Sequence, residues 1–399
     1  MKKFENDVCI IGGCGHVGLP LAIMLADAGQ HVCIYDINKE SIETVKNGTM
    51  PFEEENAEPI LKNVLEKQML TFSSDESIIS TAENVVMIIG TPVDEHLNPR
   101  VDILKKTILS ISRYLNDEQL LILRSTVYPG VSKRIRDWLD EENIHCDIAF
   151  CPERILEGKA ISELKELPQI VSSFTESGVN RSSNLFKLLT NEIIVVEPLE
   201  AELTKLYSNV WRYIQFAISN QFYTIANDYG VDFYNIHHAM TYNYPRCKNF
   251  PRPGFAAGPC LFKDTMQLGA FYNNNFNLGH TAMLINEGLP NYICQCLKNE
   301  YDLSKMTVGI LGMSFKAESD DIRESLSYKV KKLFEFEAEK VLCSDPFVKD
   351  DRFVSAEDLV KKSDIIIIAT PHKVYKTLQI PEGKKVADIW NVLGNGGKI

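Results

Sequence analysis

No run in this 399-residue chain approaches 18 consecutive apolar residues, so no membrane-spanning helix is predicted. Positive charge is in short supply. Lys and Arg number 42 against 54 Asp and Glu, a formal net charge of −12. That excludes an extended nucleic-acid-binding surface, while leaving room for a local basic pocket around an anionic substrate. The ten cysteines, at 9, 14, 33, 146, 151, 247, 260, 294, 296 and 343, include no Cys-x-x-Cys pair and no regular framework. Cys9, Cys33 and Cys343 sit inside apolar runs, as buried thiols in a reducing cytoplasm would. No residue is assigned to a metal. The start, Met1-Lys2-Lys3-Phe4-Glu5-Asn6-Asp7, leads directly into a strand pattern. It lacks the apolar stretch and cleavage site of a signal peptide. No low-complexity segment is present.

The chain does have the composition of a soluble globular protein, 45% hydrophobic and 24% charged. Its length exceeds one ordinary core, and two or three domains are expected. The first third alternates short β-rich runs with amphipathic stretches. Strands are predicted over Val8–Gly12, His31–Tyr35, Val85–Ile89, Leu120–Arg124 and His145–Phe150, and a helix over Val17–Ala28 closed by Gly29. This alternation predicts an α/β domain with a doubly wound parallel sheet. From Pro198 to about Glu300 the pattern changes. Leu203, Leu206, Tyr207, Val210, Trp211, Ile214, Ile218, Phe222 and Ile225 recur at helical spacing. They predict one long helix over Ala201–Gly230, of a length that spans between domains or packs against a second subunit.

The last hundred residues restart the α/β pattern. Strands are expected at Thr307–Leu311, Lys340–Ser344 and Asp364–Ala369, and a helix at Ser325–Phe336. Asn84–Pro92 and Asp364–Pro371 echo one another, so the two end domains are expected to share one fold. The boundaries are set at 1–197, 198–300 and 301–399.

Gly13-Cys14-Gly15-His16-Val17-Gly18 follows a strand and opens a helix. Glycines at that spacing permit a tight turn and close backbone approach to a pyrophosphate at the helix N-terminus. Asp36 ends the next strand, placed for ribose hydroxyls and against a 2′-phosphate, which selects NAD. Gly90-Thr91-Pro92 and Ser125-Thr126-Val127 each follow a strand, where ligand crevices of open α/β sheets lie. Glu153 follows another and is a candidate for moving protons or positioning water. Lys205 and Asn209 share a helix face at i,i+4 and could polarise a carbonyl or hold an oxyanion. Cys260, flanked by Gly and Pro residues and followed by Lys263 and Asp264, reads as a nucleophile beside a cation. A thiol next to a nicotinamide implies oxidation past an aldehyde, through a thiohemiacetal and a thioester.

Taken together these motifs resemble the nucleotide-sugar 6-dehydrogenases, the UDP-glucose and UDP-N-acetylhexosamine dehydrogenase family. The resemblance covers essentially the whole chain. It rests on the fingerprint running into Leu19-Pro20, Ser125-Thr126-Val127, Pro152-Glu153, Ala201-Glu202-Leu203 with Lys205 and Asn209, Cys260 with Lys263-Asp264, and Gly312 with Phe315-Lys316, Asp321, Arg323 and Ser325. It implies an N-terminal Rossmann-type domain, a central helical dimerisation region and a C-terminal Rossmann-like domain for the UDP-sugar. The implied reaction is a four-electron oxidation of a sugar C6 alcohol with two NAD. By the resemblance Cys260 is the nucleophile, Lys205 and Asn209 steady the oxyanion, Asp264 with Thr126 holds a water, and Glu153 assists thioester hydrolysis. NAD is expected at Gly13, Gly15, His16, Val17, Gly18 and Asp36, with Thr91, Pro92, Ser125, Thr126 and Arg323. The sugar nucleotide is expected at Arg154, Ile155, Leu156, Lys205, Asn209, Arg212, Phe255, Gly258, Phe315 and Lys316. Arg246, reaching a partner's substrate, implies a homodimer.

The chain departs from the family at Phe255-Ala256-Ala257-Gly258-Pro259 before the cysteine, where Gly-x-Gly-Gly-x is usual, and at Trp390, where many members carry arginine. Arg154 and Arg212 point to an N-acetylhexosamine substrate, whereas Cys260-Leu261-Phe262-Lys263-Asp264 resembles the UDP-glucose branch. The alternatives are a UDP-glucose 6-dehydrogenase, a two-electron dehydrogenase without covalent catalysis, and a non-catalytic nucleotide-binding protein.

Overall fold

The computed structural model describes residues 3–90, 94, 100–256, 258 and 260–399. The chain forms two compact units, Met1–Tyr207 and Ser208–Ile399. In the first, β1 (Asn6–Ile11), α1 (Gly18–Asp27), β2 (Val32–Tyr35), α2 (Lys39–Lys46), α3 (Ala57–Glu66), β3 (Leu70–Ser73) and β4 (Ala82–Met87) are followed by α4 (Val101–Ser112), β5 (Leu120–Leu123), α5 (Val131–Glu141) and β6 (Asp147–Phe150). Then come α6 (Ala160–Glu166), β7 (Gln169–Ser173), α7 (Glu176–Phe186) and β8 (Ile193–Val195). The strands form one sheet in the order β3-β2-β1-β4-β5-β6-β7-β8.

Successive side chains of a strand face opposite ways, and here both faces are covered. Val8, Ile10, Ile34 and Ile122 join the core under α1, and Cys9, Ile11, Cys33 and Leu121 join the core under α4 and α5. Burial on both sides explains why these strands read as unbroken apolar runs.

The sheet is parallel except where β7 runs antiparallel to β6, pairing Ala149 with Ser173 and Phe150 with Ser172. The sequence reading missed β7 because half of it is polar. The hydroxyls of Ser172 and Ser173 are buried by donating to the carbonyls of Phe150 (2.7 Å) and Ile148 (2.6 Å).

Helix α8 (Pro198–Asp228) runs from the first unit into the second, three residues earlier at its start than the spacing predicts. The second unit continues with α9 (Phe233–Thr241), α10 (Leu261–Phe271) and α11 (Asn277–Glu300). Only α8 was legible in this stretch, since Gly279, Gly288 and Pro290 interrupt the pattern of α11. After them β9 (Thr307–Leu311), α12 (Leu326–Glu337), β10 (Lys340–Ser344), α13 (Ala356–Lys362), β11 (Ile365–Ile368) and β12 (Lys385–Ala387) build an all-parallel sheet in the order β10-β9-β11-β12. Among the described residues no helix is long and apolar enough to cross a membrane.

Candidate active site

The turn after β1 is shaped by glycines. Gly12 has φ +75°, and a Cβ there would meet the Ile88 carbonyl oxygen at 2.0 Å. A Cβ on Gly18 would stand 2.5 Å from the Gly12 oxygen, so the start of α1 packs directly on the turn. Gly15, by contrast, is exposed, and among the described residues a Cβ there would meet only the Gly12 oxygen, at an ordinary 3.8 Å, which leaves room for a pyrophosphate to approach the backbone. Val17 forms the N-cap of α1. The His16 ring packs at a tilt against Phe52 with centroids 4.0 Å apart, and its buried Nδ1 has no hydrogen-bond partner among the described residues.

Asp36 is half-buried; it accepts the Cys14 N–H on Oδ2 and the Asn38 N–H on Oδ1, both at 2.9 Å. Each oxygen keeps a second lone pair for a ribose hydroxyl. The exposed backbone at Gly15, the His16 nitrogen without a partner among the described residues and the fixed carboxylate fit a bound NAD. Thr91 and Pro92 lie outside the described residues.

The ends of β5 and β6 carry a buried ion pair that the sequence reading half missed. Ser125 donates its hydroxyl to the Ile89 carbonyl (2.7 Å) and accepts the Ile89 N–H (2.9 Å), tying the ends of β4 and β5. Before it, the fully buried Arg124 bonds to Glu153, to the Cys151 carbonyl (3.2 Å) and to Gln169 (3.1 Å), and lies over the Phe186 ring. The other Glu153 oxygen accepts the N–H groups of Arg154 (2.7 Å) and Ile155 (2.9 Å). Burial pushes the Glu153 carboxyl up, but the Arg124 charge and these donors outweigh it and hold it below the usual range. Glu153 is therefore a fixed anion that shapes the 154–156 loop, with Leu156 N–H held by Glu163 (2.6 Å) and the Arg154 guanidinium on the Pro168 carbonyl. Glu54 closes the far side of that loop by accepting the N–H groups of Gly158 (2.9 Å) and Ala160 (2.7 Å). Thr126 and Lys205 are half-buried.

In the second unit Cys260 is exposed and occupies the N-cap of α10. One turn on, Asp264 is fully buried and accepts the Asn209 carboxamide at 2.6 Å. Lys263 Nζ stands 3.8 Å from the other Asp264 oxygen. The segment leading to Cys260 is clamped. Asn220 accepts the Gly254 N–H (2.8 Å) and donates to the Gly254 carbonyl (3.0 Å). The Trp390 ring packs so closely on Gly254 that a Cβ would meet it at 2.3 Å. Trp390, one departure from the family pattern, thus packs on the residue just before the other, which begins at Phe255. Phe255 is buried, and Gly258, at φ +104°, has the Phe315 ring where a Cβ would stand. Lys316 Nζ lies 5.6 Å from the centroid of that ring. Arg323 is bidentate on Asp321 (2.9 and 2.5 Å). Arg212 and Arg246 are exposed, Arg246 beside the Tyr244 hydroxyl at 3.1 Å.

The second sheet repeats the geometry of the first. Gly312 has φ +90°, and Asp345, ending β10, accepts the Met313 N–H at 2.6 Å, as Asp36 accepts that of Cys14. Here, though, the carboxylate is covered. The fully buried His372 presents Nε2 to Asp345 (3.2 Å) and accepts the Glu318 N–H on Nδ1 (3.0 Å).

A doubly wound sheet with a glycine cradle and ribose acid, joined to a second sheet by a helical stretch carrying an exposed thiol, defines a dinucleotide-dependent dehydrogenase. Residues 6–190 match the NAD binding domain, 199–288 the central domain and 309–395 the UDP binding domain of the UDP-glucose/GDP-mannose dehydrogenase family. The chain belongs to that family and is an NAD-dependent oxidoreductase. A UDP-N-acetyl-D-mannosamine dehydrogenase from Pyrococcus horikoshii is 28% identical over 92% of this chain and 90% of its own. The solved structure of UDP-D-ManNAc dehydrogenase from Pyrococcus horikoshii superposes with a TM-score of 0.87 at 27% identity, over 94% of this chain and 91% of that one. A UDP-glucose dehydrogenase from Pyrobaculum islandicum shares the fold, with a TM-score of 0.89 at 24% identity over 97% and 95% of the two chains.

Proposed function

We propose that the chain oxidises the C6 hydroxyl of a UDP-sugar to a carboxylate with Cys260 as the covalent nucleophile. The sugar is a UDP-N-acetylhexosamine of the mannosamine or glucosamine type, and the uronic acid formed serves surface polysaccharide synthesis. The observation that carries the reading is the exposed Cys260 thiol at a helix N-terminus, one turn from the buried Asp264 that Asn209 holds. The names of the relatives, UDP-N-acetyl-D-mannosamine dehydrogenases, favour the N-acetyl sugar.

The Gly13–Gly18 turn and Asp36 would hold NAD, two molecules in turn, and each would supply the acceptor for one hydride from C6, the hydroxyl proton leaving to water. The Cys260 sulfur, favoured as an anion by the N–H groups of the first turn, adds to the aldehyde carbon. Lys205 and the second N–H of the Asn209 carboxamide steady the oxygen that becomes negative. Once the carbon is a thioester, Asp264 and Thr126 hold a water, and Asp264 takes its proton as the oxygen adds and the thiolate leaves. Glu153 contributes a fixed negative charge that orients this water. Arg154, Ile155, Leu156 and Arg212 contact the sugar, and Phe255, Gly258, Phe315 and Lys316 the nucleotide.

Residues 1–197 form the NAD-binding part, 198–300 the dimerisation part and 301–399 the UDP-sugar part. Tyr207, Trp211, Ile218, Phe222 and Ile225 are exposed along one stripe of α8, and Tyr229 just past its end. Apolar residues at this spacing fit a second copy of the chain, from which Arg246 reaches the substrate.

The test counts NADH per sugar across a panel of UDP-sugars. Two NADH per UDP-N-acetylhexosamine, abolished in Cys260→Ala, is expected. One NADH per sugar would exclude the thioester route, and turnover of UDP-glucose alone would exclude the N-acetyl substrate.

A further inference from the structure

Glu202 has no role in the chemistry above, yet its surroundings are unusual for a glutamate on a helix. It is 1% exposed. One carboxylate oxygen accepts the Gly130 N–H at 2.5 Å; the other accepts the Ser132 N–H at 2.8 Å and the Ser132 hydroxyl. These donors belong to the start of α5. The first N–H groups of any helix lack partners within it, and a side chain at the N-cap usually supplies one. At this helix the N-cap is Gly130, in the left-handed region at φ +87°, which has no side chain to give. The cap therefore comes from another element, the first turn of α8.

Three features make this a joint between elements. A buried carboxylate is costly unless its lone pairs are filled, and here three donors and the positive end of α5 fill them. Ala201, beside Glu202, is fully buried in the same core as Val127 and Val131, so its small side chain lets α8 come close to the start of α5. Lys205 follows Glu202 by three residues, on the same face of α8, while Ser125 and Thr126 precede Gly130 on the loop that the carboxylate anchors.

We propose that Glu202 is a positioning residue: by capping α5 from α8 it fixes Lys205 and the Ser125–Gly130 loop in one geometry. The inference rests on the reading that Lys205 and Thr126 serve the reacting oxygen and water. A group displaced by about 1 Å from its reacting partner can lose about 100-fold in rate.

Glu202→Gln keeps the size of the side chain but turns an NH2 toward one of the donors. We expect kcat to fall about 30- to 100-fold, with the KM for the sugar and the Kd for NAD changed less than about threefold. Ser132→Ala, which removes one donor of three and is a milder change to the fold, should lower kcat a few-fold in the same pattern. Lys205→Ala, alone and with Thr126→Ala, supplies the control. If Glu202 acts through Lys205 and the loop that carries Thr126, adding Glu202→Gln to Lys205→Ala/Thr126→Ala costs little more, because the losses are not additive. Full additional loss, or kcat per folded molecule unchanged in both Glu202→Gln and Ser132→Ala, overturns the proposal alone. Undiminished kcat in Lys205→Ala overturns the underlying reading and the proposal with it.

Discussion

The Asn209 carboxamide donates to the Asp264 carboxylate at 2.6 Å, joining α8 to α10 beneath the turn that begins at Cys260. Both side chains are buried, Asp264 completely. Asn209→Ala withdraws a donor from a buried anion and should cost about 1.5–3 kcal/mol of stability, read by urea unfolding. Asp264→Asn keeps the shape and removes the proton acceptor. It should slow thioester hydrolysis about 10²- to 10⁴-fold while leaving hydride loss intact. The signature is a burst of NADH followed by a stall, with a sugar adduct on the Cys260 peptide by mass spectrometry. Steady turnover without a burst would remove Asp264 from that step.

Arg124 and Glu153 form a buried pair whose contribution depends on pH in a direction that can be worked out. Burial raises the Glu153 carboxyl, but Arg124 and two backbone N–H groups bring it below its ordinary value of 4.5. A carboxylate lowered on folding stabilises the fold above its unfolded pKa, and that contribution fades as pH falls through the lower, folded value. Arg124→Met leaves the burial opposed only by the two backbone N–H groups, so Glu153 should protonate more readily in the variant than in the parent. The variant is expected to lose about 3–5 kcal/mol at pH 7.5, with the gap to the parent narrowing at pH 5. Urea unfolding at the two pH values measures it; a gap that widens in acid would contradict the assignment of Glu153 as a paired anion.

Much of this was legible in the sequence because it is written in local spacing. The glycine turn, Asp36, the long helix and Cys260 each depend on neighbours a few residues away. The rest depends on pairing across the chain. Arg124 and Glu153 are 29 residues apart and Glu202 reaches Ser132 across 70, and nothing in either segment alone announces the partner. Gly12 was passed over because the spacing begins at Gly13, although only the fold shows the Ile88 oxygen pressed against it. Strand β7 escaped notice because its serines are buried by bonding to β6. That the Trp390 indole packs on Gly254, the residue before Phe255, was invisible in the sequence.

The two strand-end aspartates make a last comparison, since each bonds to the glycine turn of its own sheet but only one is open. Asp36 accepts one N–H on each oxygen and keeps a lone pair on each for a ligand, whereas Asp345 accepts two N–H groups on each oxygen and faces the buried His372. Burial raises the Asp345 carboxyl, but the His372 hydrogen bond and the N–H groups of Ser314 and Met313 pull it down to about 2. Its stabilising contribution is therefore present above pH 3.8 and is lost as pH falls through about 2. From that shift, Asp345→Asn should cost about 2 kcal/mol at neutral pH, lowering Tm without changing the affinity for NAD. Asp36→Asn should do the opposite, weakening NAD about tenfold through a lost ribose contact worth about 1.4 kcal/mol and leaving Tm nearly unmoved. Fluorescence titration with NAD and a thermal scan on both variants separate the cases. Loss of NAD affinity in Asp345→Asn would mean that the covered acid of the second sheet still serves a dinucleotide.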